Sequence, residues 1–236
     1  MMPAIVLAGG LGTRLRAVVP DRPKPMAAVA GKPFLWWLLR HLQAHGVEQV
    51  YLSVGYGRAV IAEYFGAQFG AMRLEYVPEA SPLGTGGAIA HVFAHADADQ
   101  ALVLNGDTLA RLDIRQFAQA AQDAGADVAM AVARVDDISR YGAVQINPID
   151  NRVTGFTEKG ITGPGCINAG VYAVKRDLFA HLGLAGAFSF ERDLLAAHLN
   201  QIKVVAFDHV SRFIDIGVPE DYARAQTEVP AITAGA

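Results

Sequence analysis

The sequence predicts an α/β protein whose first half forms a mostly parallel sheet flanked by helices and whose second half adds antiparallel strands. In the first half, short apolar runs alternate with longer helical stretches, which is the pattern of a parallel sheet buried on both faces. After residue 125, strand-like runs follow one another closely. We therefore expect the second half to extend the parallel core with antiparallel strands.

The predicted strands are short runs of mainly apolar residues. In the first half they span residues 4–7, 50–54, 74–77 and 102–104. In the second half they span residues 128–135, 142–146, 153–157 and 168–174. The first of these runs is short and has no basic segment before it, so it indicates a buried strand and not a signal peptide.

Three helices are predicted from apolar periodicity and from residues that favour helix ends. Residues 33–45 carry an apolar stripe, begin with a proline that suits a first helical turn and are followed by Gly46. Residues 113–125 begin with an aspartate, and residues 219–227 begin with a proline followed by two acidic residues. The last residues, 229–236, are small and weakly patterned, so we expect them to fray.

Two adjacent tryptophans, Trp36 and Trp37, widen the apolar face of the first predicted helix. This face either packs in the core or forms an interface in a homo-oligomer, and the sequence leaves both open. No repeat, linker or charge block divides the chain. We therefore expect one domain over residues 1–236.

The composition excludes several classes of protein. With 20 basic and 23 acidic residues, the chain lacks the positive surface of a protein that binds nucleic-acid polymers. The single cysteine, Cys166, excludes an intramolecular disulfide framework and is interpreted as a packing residue. No apolar stretch approaches the ~20 residues of a membrane span. We expect a soluble, cytoplasmic protein without a membrane partner, and we interpret its histidines, for which we find no paired ligand spacing, as non-catalytic.

A glycine-rich segment after the first strand carries the strongest chemical signal. Glycines at positions 9, 10 and 12 would let backbone N–H groups approach phosphate oxygens, and Arg14 can grip phosphates with two N–H groups. Lys24 adds a positive charge in a segment made rigid by a proline on each side. Leu15 stands where the third glycine of a dinucleotide-binding fingerprint belongs. A glycine turn with an incidental arginine is the alternative, but the Pro-Lys-Pro segment favours a triphosphate site.

Two aspartates follow apolar runs. Asp107 comes after the strand at 102–104, and ligands bind at the carboxyl ends of strands in open parallel sheets. Magnesium is a natural partner for a carboxylate there. Asp215 follows a second apolar run. Each has a simpler alternative, since Asn-Gly-Asp is also a turn signal and Asp215 could cap the helix near residue 219.

These glycine-rich and Pro-Lys-Pro segments resemble the signature of the sugar-phosphate nucleotidyltransferases. Further segments occur in that family's order and at about its spacing: Pro-Leu-Gly-Thr-Gly-Gly-Ala at 82–88, Leu-Asn-Gly-Asp-Thr at 104–108, Phe-Thr-Glu-Lys at 156–159, Ile-Asn-Ala-Gly-Val-Tyr at 167–172 and Phe-Ile-Asp-Ile-Gly at 213–217. The resemblance implies a Rossmann-like mixed sheet flanked by helices, with a nucleotide-binding part over about 1–125 and an antiparallel sugar-binding extension over about 126–228. It also implies that the chain lacks the C-terminal β-helix domain that many relatives carry.

The resemblance implies a role for individual residues. The catalytic residues would be Arg14, Lys24, Asp107 and Asp215, with Mg²⁺ held by the two aspartates. The nucleotide would be bound by Leu7, Ala8, Gly9, Gly10, Gly12, Thr13, Arg14, Lys24, Glu79, Gly84, Thr85 and Gly106. The sugar phosphate would be bound by Tyr141, Gly142, Glu158, Lys159, Asn168 and Gly170. Glu158 and Lys159 could instead be an ordinary exposed charged pair.

The base and the sugar are predicted on different grounds. Glu79, just before an expected Leu-Gly-Thr loop at 83–85, lies where this family reads the base. A carboxylate can accept from both N1–H and the amine of guanine, so GTP is favoured; a surface glutamate is the alternative. Finer segments, including Arg140-Tyr141-Gly142 and Ser189-Phe190-Glu191, resemble the short guanylyltransferases that act on D-glycero-α-D-manno-heptose 1-phosphate and supply GDP-heptose for capsule or surface glycans. The sugar therefore comes from the resemblance alone.

The implied reaction is an in-line attack of the sugar 1-phosphate on the α-phosphorus of GTP, which releases pyrophosphate. The attacking phosphate is already anionic, so the protein has to position two polyanions and offset their repulsion, and no base is needed. Mannose-1-phosphate guanylyltransferase and N-acetylmuramate-1-phosphate uridylyltransferase are alternatives within the class. A non-catalytic nucleotide-sugar sensor and a nicotinamide-dependent oxidoreductase are alternatives from other classes.

Overall fold

A computed structural model of the chain describes residues 1–10, 15, 19 and 22–234. In the described residues the strands are β1 (Ala4–Leu7), β2 (Ala28–Val29), β3 (Lys32–Pro33), β4 (Gln49–Val54), β5 (Gln68–Phe69), β6 (Met72–Pro78), β7 (Gln100–Asn105), β8 (Thr108–Arg111), β9 (Val128–Val135), β10 (Val144–Ile146), β11 (Val153–Phe156), β12 (Gly165–Lys175), β13 (Val204–Val210) and β14 (Arg212–Asp215). The helices are α1 (Phe34–Ala44), α2 (Arg58–Phe65), α3 (Gly84–Phe93), α4 (Ile114–Asp123), α5 (Asp177–His181) and α6 (Pro219–Thr233). A 3₁₀ turn spans Lys24–Met26, and a π-helical segment spans Phe190–Ala196.

Eight of these strands form one sheet in the order β13-β9-β12-β7-β1-β4-β6-β5. Strands β6, β4, β1 and β7 are parallel neighbours, which is the predicted core. Strand β12 is antiparallel to both β7 and β9, whereas β13 runs parallel to β9. Three pairs lie outside this sheet: β2–β3, β10–β11 and the antiparallel β8–β14 ribbon. Strands from both halves of the chain are therefore neighbours in one sheet.

The sheet is covered on both faces by helices. Alternate residues of β1 enter opposite cores, since Val6 packs in one cluster and Ile5 in the other, and both are fully buried. The apolar faces of α1, α4 and α6 belong to the cluster that contains Val6. The apolar faces of α3, α5 and the π-helical segment belong to the cluster that contains Ile5. This two-sided burial explains why the parallel strands are continuously apolar.

Most predicted elements are confirmed with modest changes in length. The four first-half strands are β1, β4, β6 and β7, and residues 128–135 form β9 with the predicted bounds. The helix predicted at 33–45 is α1; Trp37 is 8% exposed, and its indole N–H donates to the Val29 carbonyl at 2.8 Å. The helix predicted at 113–125 is α4, with the Asp113 side chain accepting from two N–H groups of its first turn. The predicted antiparallel extension is confirmed by the β12–β7, β12–β9 and β10–β11 pairs, and β13, which was not predicted, joins β9 in parallel.

Two expectations are wrong. The chain does not fray from residue 229, because α6 continues to Thr233 and buries Val229 and Ile232 in the core. The Leu-Gly-Thr segment at 83–85, which we expect to be a loop, instead enters α3 at Gly84. Glycine disfavours helix, but here the N–H groups of Gly86 and Gly87 donate to the carbonyl of Phe188 on the neighbouring segment, at 3.0 and 3.3 Å. Tertiary contacts therefore override local propensity at both places.

No helix in the described part of the chain is long and apolar enough to cross a membrane.

Candidate active site

Two adjoining cavities lie at the carboxyl ends of β1, β4, β6 and β7, where ligands bind in open α/β sheets. The first cavity, of about 300 Å³, is lined by residues that include Lys24, Asp107 and Gly217. The second cavity, of about 380 Å³, is lined by residues that include Tyr56 and Glu79. Leu7, Gly10 and Thr85 line both cavities. Together the two cavities form one groove.

The β8–β14 ribbon brings the two predicted metal ligands together. Asp107 lies in the turn between β7 and β8, and Asp215 ends β14 opposite Thr108. The N–H of Ile216 donates to the carbonyl of Asp107 at 3.0 Å, which holds the two turns side by side. Asp215 is not a helix cap, because Val218 is the N-cap of α6 and α6 has no side-chain cap. The turn and cap alternatives therefore do not account for the approach of both aspartates to one lysine, Lys24.

Lys24 lies between the two carboxylates. Its ammonium forms an ion pair and a hydrogen bond with Asp107 Oδ2 and lies 3.6 Å from Asp215 Oδ1. Burial raises the pKa of Asp215 above its usual value, and the charge of Asp107 raises it further, while Lys24 acts in the opposite direction. A Cβ at Gly217 would lie 3.0 Å from Asp215 Oδ1 and 3.3 Å from Lys24 Nζ, so a glycine keeps this space open.

Asp215 Oδ1 is buried and has no hydrogen-bond partner in the part of the chain that the structure describes. An unsatisfied carboxylate oxygen is costly inside a protein, and a hard cation satisfies such oxygens well. In the described residues, no group of three or more His, Cys, Asp or Glu side chains is arranged to hold a metal ion. The donor set here is therefore two carboxylates, which fits a cation that completes its coordination with ligand oxygens and water.

The loop after β1 approaches its neighbours closely. A Cβ at Gly106 would lie 2.5 Å from the Leu7 carbonyl, which already accepts from the Gly106 N–H at 3.0 Å. No atom of the described residues lies within 4 Å of a Cβ built at Gly10, which lines both cavities, and Gly9 lines the second. Ala8 is fully buried and lines neither cavity, so its side chain packs in the core. The predicted site residues Gly12, Thr13 and Arg14 lie outside the described residues.

The second cavity contains the predicted base-reading glutamate. Glu79 Oε1 accepts from the hydroxyl of Ser53 at 2.9 Å, and Oε2 accepts from the N–H of Leu83 at 3.2 Å. These bonds hold the carboxylate between the end of β4 and the start of α3, and each oxygen keeps lone pairs for a ligand. Gly84 has φ +68°, and a Cβ there would lie 2.5 Å from the Phe188 carbonyl. Only glycine suits that position.

The predicted sugar-binding residues lie on segments of the second half, and none of them lines the two cavities. Tyr141 packs edge-on against Phe213, with ring centroids 5.8 Å apart, and burial raises the pKa of its phenol. Gly142 has φ +78°. Glu158 and Lys159 are exposed in the loop after β11. Among the described residues, the structure therefore brings Lys24, Asp107 and Asp215 together, and it places Gly142 against the backbone of Thr157 and Glu158. Asn168 and Gly170 lie on a separate strand, β12.

Asn168 and Gly170 are held where β12 loses its register with β9. The side-chain oxygen of Asn168 accepts from the Gly170 N–H at 2.9 Å. Gly170 has φ +68°, and a Cβ there would lie 2.7 Å from the side-chain nitrogen of Asn105, which lines the first cavity. This irregular part of β12 therefore lies beside the groove.

Sequence reasoning missed three residues that hold the groove together: Ser53, Tyr172 and Glu191. Ser53 orients Glu79, and the buried hydroxyl of Tyr172 lies between Asn168 and Glu191. Glu191 also accepts from the hydroxyl of Thr85 at 2.9 Å. Tyr172 and Glu191 belong to segments singled out by the resemblance, but their contact joins positions 19 residues apart and no local pattern predicts it.

The prediction that no two histidines have paired ligand spacing is wrong. His41 and His45 stack on each other at the C-terminal end of α1, and His91 and His95 stack at the same spacing at the end of α3. Each pair uses a ring nitrogen of the second histidine against the carbonyl of the first, at 2.9 and 2.8 Å. Neither pair lines the groove. They therefore give no metal site and no catalytic base there.

Known proteins resemble this chain over almost its whole length. The family model described as nucleotidyl transferase matches residues 3–231. The D-glycero-alpha-D-manno-heptose 1-phosphate guanylyltransferase of Aneurinibacillus thermoaerophilus is 41% identical over 97% of this chain and 98% of the relative. The mannose-1-phosphate guanylyltransferase of Mycobacterium tuberculosis is 38% identical over 96% of this chain and 64% of the relative. The crystal structure of HddC from Yersinia pseudotuberculosis, solved also in complex with GMP-PN, is 37% identical with a TM-score of 0.85 and covers 97% of this chain and 99% of that one.

Proposed function

The chain belongs to the nucleotidyl transferase family, and from this premise we propose that it transfers a guanylyl group from GTP to D-glycero-α-D-manno-heptose 1-phosphate, giving GDP-heptose and pyrophosphate. The observation that carries this proposal is the Lys24–Asp107–Asp215 cluster at one end of a nucleotide-sized groove. The 41% identity to a heptose 1-phosphate guanylyltransferase over nearly the full length of both chains supports this sugar. The similarity to HddC, solved with GMP-PN, supports the guanine nucleotide.

In this proposal the guanine occupies the second cavity. Glu79 is held from behind by Ser53 and the Leu83 N–H, and its remaining lone pairs would accept from N1–H and the exocyclic amine of guanine. Uracil and thymine offer only one such donor on that edge. The fixed position of the carboxylate supports selectivity, since a rigid acceptor that stays unpaired with the wrong base is costly.

The triphosphate would extend from the second cavity into the first. Gly10 and Thr85 line both cavities and would lie along its path. Asp107 and Asp215 would hold a Mg²⁺ ion. This assignment is supported by Asp215 Oδ1, which is buried and lies 3.6 Å from Lys24 Nζ but accepts no hydrogen bond from the described residues. When bound, Mg²⁺ supplies positive charge that offsets the repulsion between the phosphates. Lys24, which now neutralises the two aspartates, would then be free to contact a phosphate oxygen.

The sugar phosphate would enter from the β12 side of the groove. Gly170 lies against Asn105, which lines the first cavity, and Asn168 accepts a hydrogen bond from Gly170. We assign the binding of sugar hydroxyls to Asn168 and Gly170, together with Glu158. Lys159 would bind the sugar phosphate, and Tyr141 with Gly142 would line the sugar. The attacking phosphate oxygen is already anionic, so the residues have to hold it in line with the departing pyrophosphate and no proton has to be removed.

Mannose 1-phosphate is the second candidate sugar. The mannose-1-phosphate guanylyltransferase of M. tuberculosis is 38% identical over 96% of this chain, which is close to the identity with the heptose enzyme. The two sugars share the ring to which the phosphate is attached, so the residues that hold the phosphate and the ring do not distinguish them.

Pyrophosphate release from the purified protein with Mg²⁺ tests the proposal. GTP, UTP, dTTP, CTP and ATP are each combined with heptose, mannose, glucose and N-acetylmuramate 1-phosphates. We expect release with GTP and the heptose phosphate to exceed every other pair. Equal or faster release with mannose 1-phosphate would replace the sugar and keep the mechanism, and no release from folded protein that binds GTP would contradict the proposed activity.

A further inference from the structure

Glu191, the second residue of the π-helical segment, connects the two sides of the groove. Its Oε2 accepts from the hydroxyl of Thr85, 2.9 Å away in the first turn of α3. Its Oε1 accepts from the hydroxyl of Tyr172, 3.3 Å away on β12. Among the described residues, Thr85 lines both cavities and Glu191 lines neither. Glu191 therefore acts on the groove through its neighbours.

An acidic residue in the first turn of a helix is ordinarily explained by its attraction to the positive end of the helix dipole. Here the cap is provided by Ser189, whose hydroxyl oxygen accepts from the Arg192 N–H at 3.2 Å and lies 3.3 Å from Glu191 Oε2. The two carboxylate oxygens of Glu191 face α3 and β12. The contact with α3 is distant in sequence, since Thr85 and Glu191 are 106 positions apart.

The charge on Glu191 sets the direction of the neighbouring hydrogen bonds. An ionised carboxylate only accepts, so the hydroxyls of both Thr85 and Tyr172 must donate to it. Thr85 Oγ1 then accepts from the Phe190 N–H at 2.8 Å. Tyr172 is 1% exposed, and burial together with the charge of Glu191 raises the pKa of its phenol well above the usual value. The phenol therefore stays protonated and keeps donating to Glu191.

The charge of Glu191 also fixes the direction of the hydrogen bond between Tyr172 and Asn168. Because the phenol proton points to Glu191, its oxygen accepts from the side-chain N–H of Asn168, at 2.5 Å. The amide oxygen of Asn168 is then the atom that accepts from the Gly170 N–H at 2.9 Å. One carboxylate thus orients the amide of a predicted sugar-binding residue through an intervening phenol.

We propose that Glu191 is a positioning residue that holds Thr85 against the nucleotide and, through Tyr172, orients Asn168 towards the sugar. This inference rests on the proposed function, which assigns Thr85 to the nucleotide and Asn168 to the sugar. A charged acceptor shared by both sides keeps their geometry coupled, so the two substrates meet in a groove that is already ordered.

Steady-state kinetics of three variants test the proposal at a temperature well below unfolding. Glu191→Gln presents an amide N–H₂ to one of the two donating hydroxyls, so we expect the KM values for GTP and for the sugar phosphate each to rise about tenfold or more. Tyr172→Phe keeps the buried ring but removes the link to Asn168. We expect it to raise the KM for the sugar phosphate by a similar factor and to leave the KM for GTP within twofold. The double variant should be no worse than Glu191→Gln.

Glu228→Gln is the matched control, since Glu228 pairs with Arg224 on α6 outside the groove, and its KM values should equal those of the wild type. A merely structural role would lower the melting temperature of Glu191→Gln but leave both KM values unchanged below unfolding, and it would not confine the effect of Tyr172→Phe to the sugar phosphate. Unchanged KM values in folded Glu191→Gln, or an unchanged sugar KM in Tyr172→Phe, would overturn the proposal. If Glu191→Gln does not fold, Tyr172→Phe alone decides it.

Assays of the wild-type protein distinguish a failure of this proposal from a failure of the proposed function. Failure of the wild type to release pyrophosphate with any substrate pair would contradict the activity and not the role of Glu191. In that case calorimetric GTP binding replaces kinetics. About tenfold weaker binding by Glu191→Gln, with unchanged binding by Tyr172→Phe, supports the positioning of Thr85, and equal binding by all three proteins contradicts it.

Discussion

Asp215 and Asp221 lie six residues apart, one at the end of β14 and the other in the first turn of α6, yet they are held in opposite ways. Asp221 has a side chain only 3% exposed, and it accepts from Arg140 at 2.6 Å and from Arg224 at 3.0 Å. Asp215 has a buried oxygen that accepts no hydrogen bond from any described residue, and a second carboxylate, Asp107, lies nearby. A buried carboxylate with satisfied oxygens stabilises the fold, whereas one left unsatisfied beside a like charge is suited to a ligand.

The largest expected effect is on catalysis, and it concerns the two neighbouring carboxylates Asp107 and Asp215. We expect Asp215→Asn or Asp107→Asn to lower kcat by about 10²–10³-fold, because each removes a charge aimed at the reacting phosphates. Pyrophosphate release with saturating GTP and Mg²⁺ measures this. Asp221→Asn is the control and should keep kcat within about tenfold. Rates near those of the wild type in Asp215→Asn would contradict the division between the two aspartates.

The second prediction concerns His41, a buried base, which we compare with the buried acid Asp221. His41 is 1% exposed, and burial, followed by the charge of His45, lowers the pKa of its imidazole to about 4 from 6.5. The unfolded chain therefore binds a proton at a higher pH than the folded chain, and stability falls as pH falls from 6.5 to about 4. The whole interval corresponds to about 3 kcal/mol from this one group.

Urea unfolding between pH 7 and pH 4 measures this contribution. His41→Leu should lose less stability over that interval than the wild type, since it has no imidazole to protonate. The exposed His95→Leu is the matched control and should follow the wild-type curve. Parallel curves for His41→Leu and the wild type would show that His41 is charged in the fold.

The third prediction concerns the satisfied carboxylate. We expect Asp221→Ala to destabilise the fold by about 2 kcal/mol, because two guanidinium groups lose their shared acceptor. The cost stays below that of a fully buried ion pair since the side chains of Arg140 and Arg224 are 50% and 55% exposed and can turn to water. Thermal unfolding should show a Tm lower by about 4–8 °C. The exposed Asp208, which pairs with Arg134, is the control, and Asp208→Ala should leave the Tm nearly unchanged.

The local pattern predicted a site at Asp107, whereas only the family resemblance gave Asp215 a role different from that of Asp221. Asp107 follows a buried parallel strand, and position at a strand end is a local signal. Both Asp215 and Asp221 stand near the start of a predicted helix, and what distinguishes them is the arrival of Lys24 at one and Arg140 at the other from far along the chain. Helix α3 was missed for a similar reason, because its glycines are stabilised by the distant Phe188 carbonyl. Alternating apolar segments are thus readable in sequence, whereas the partners of buried charges depend on the assembled fold.

The smallest expected effect returns to Asp215, now in the metal-free protein. Its raised pKa means that the folded state disfavours the ionised carboxylate relative to the unfolded chain. Above that pKa the charge lowers stability, and the penalty disappears as pH falls through it. Asp215→Asn, which lacks the charge, should therefore raise the Tm in EDTA at pH 7.5, and the difference from the wild type should shrink as the pH is lowered. A lower Tm for this variant at pH 7.5 would mean that attraction to Lys24 outweighs burial and repulsion by Asp107, and Asp215 would then stabilise the fold as Asp221 does.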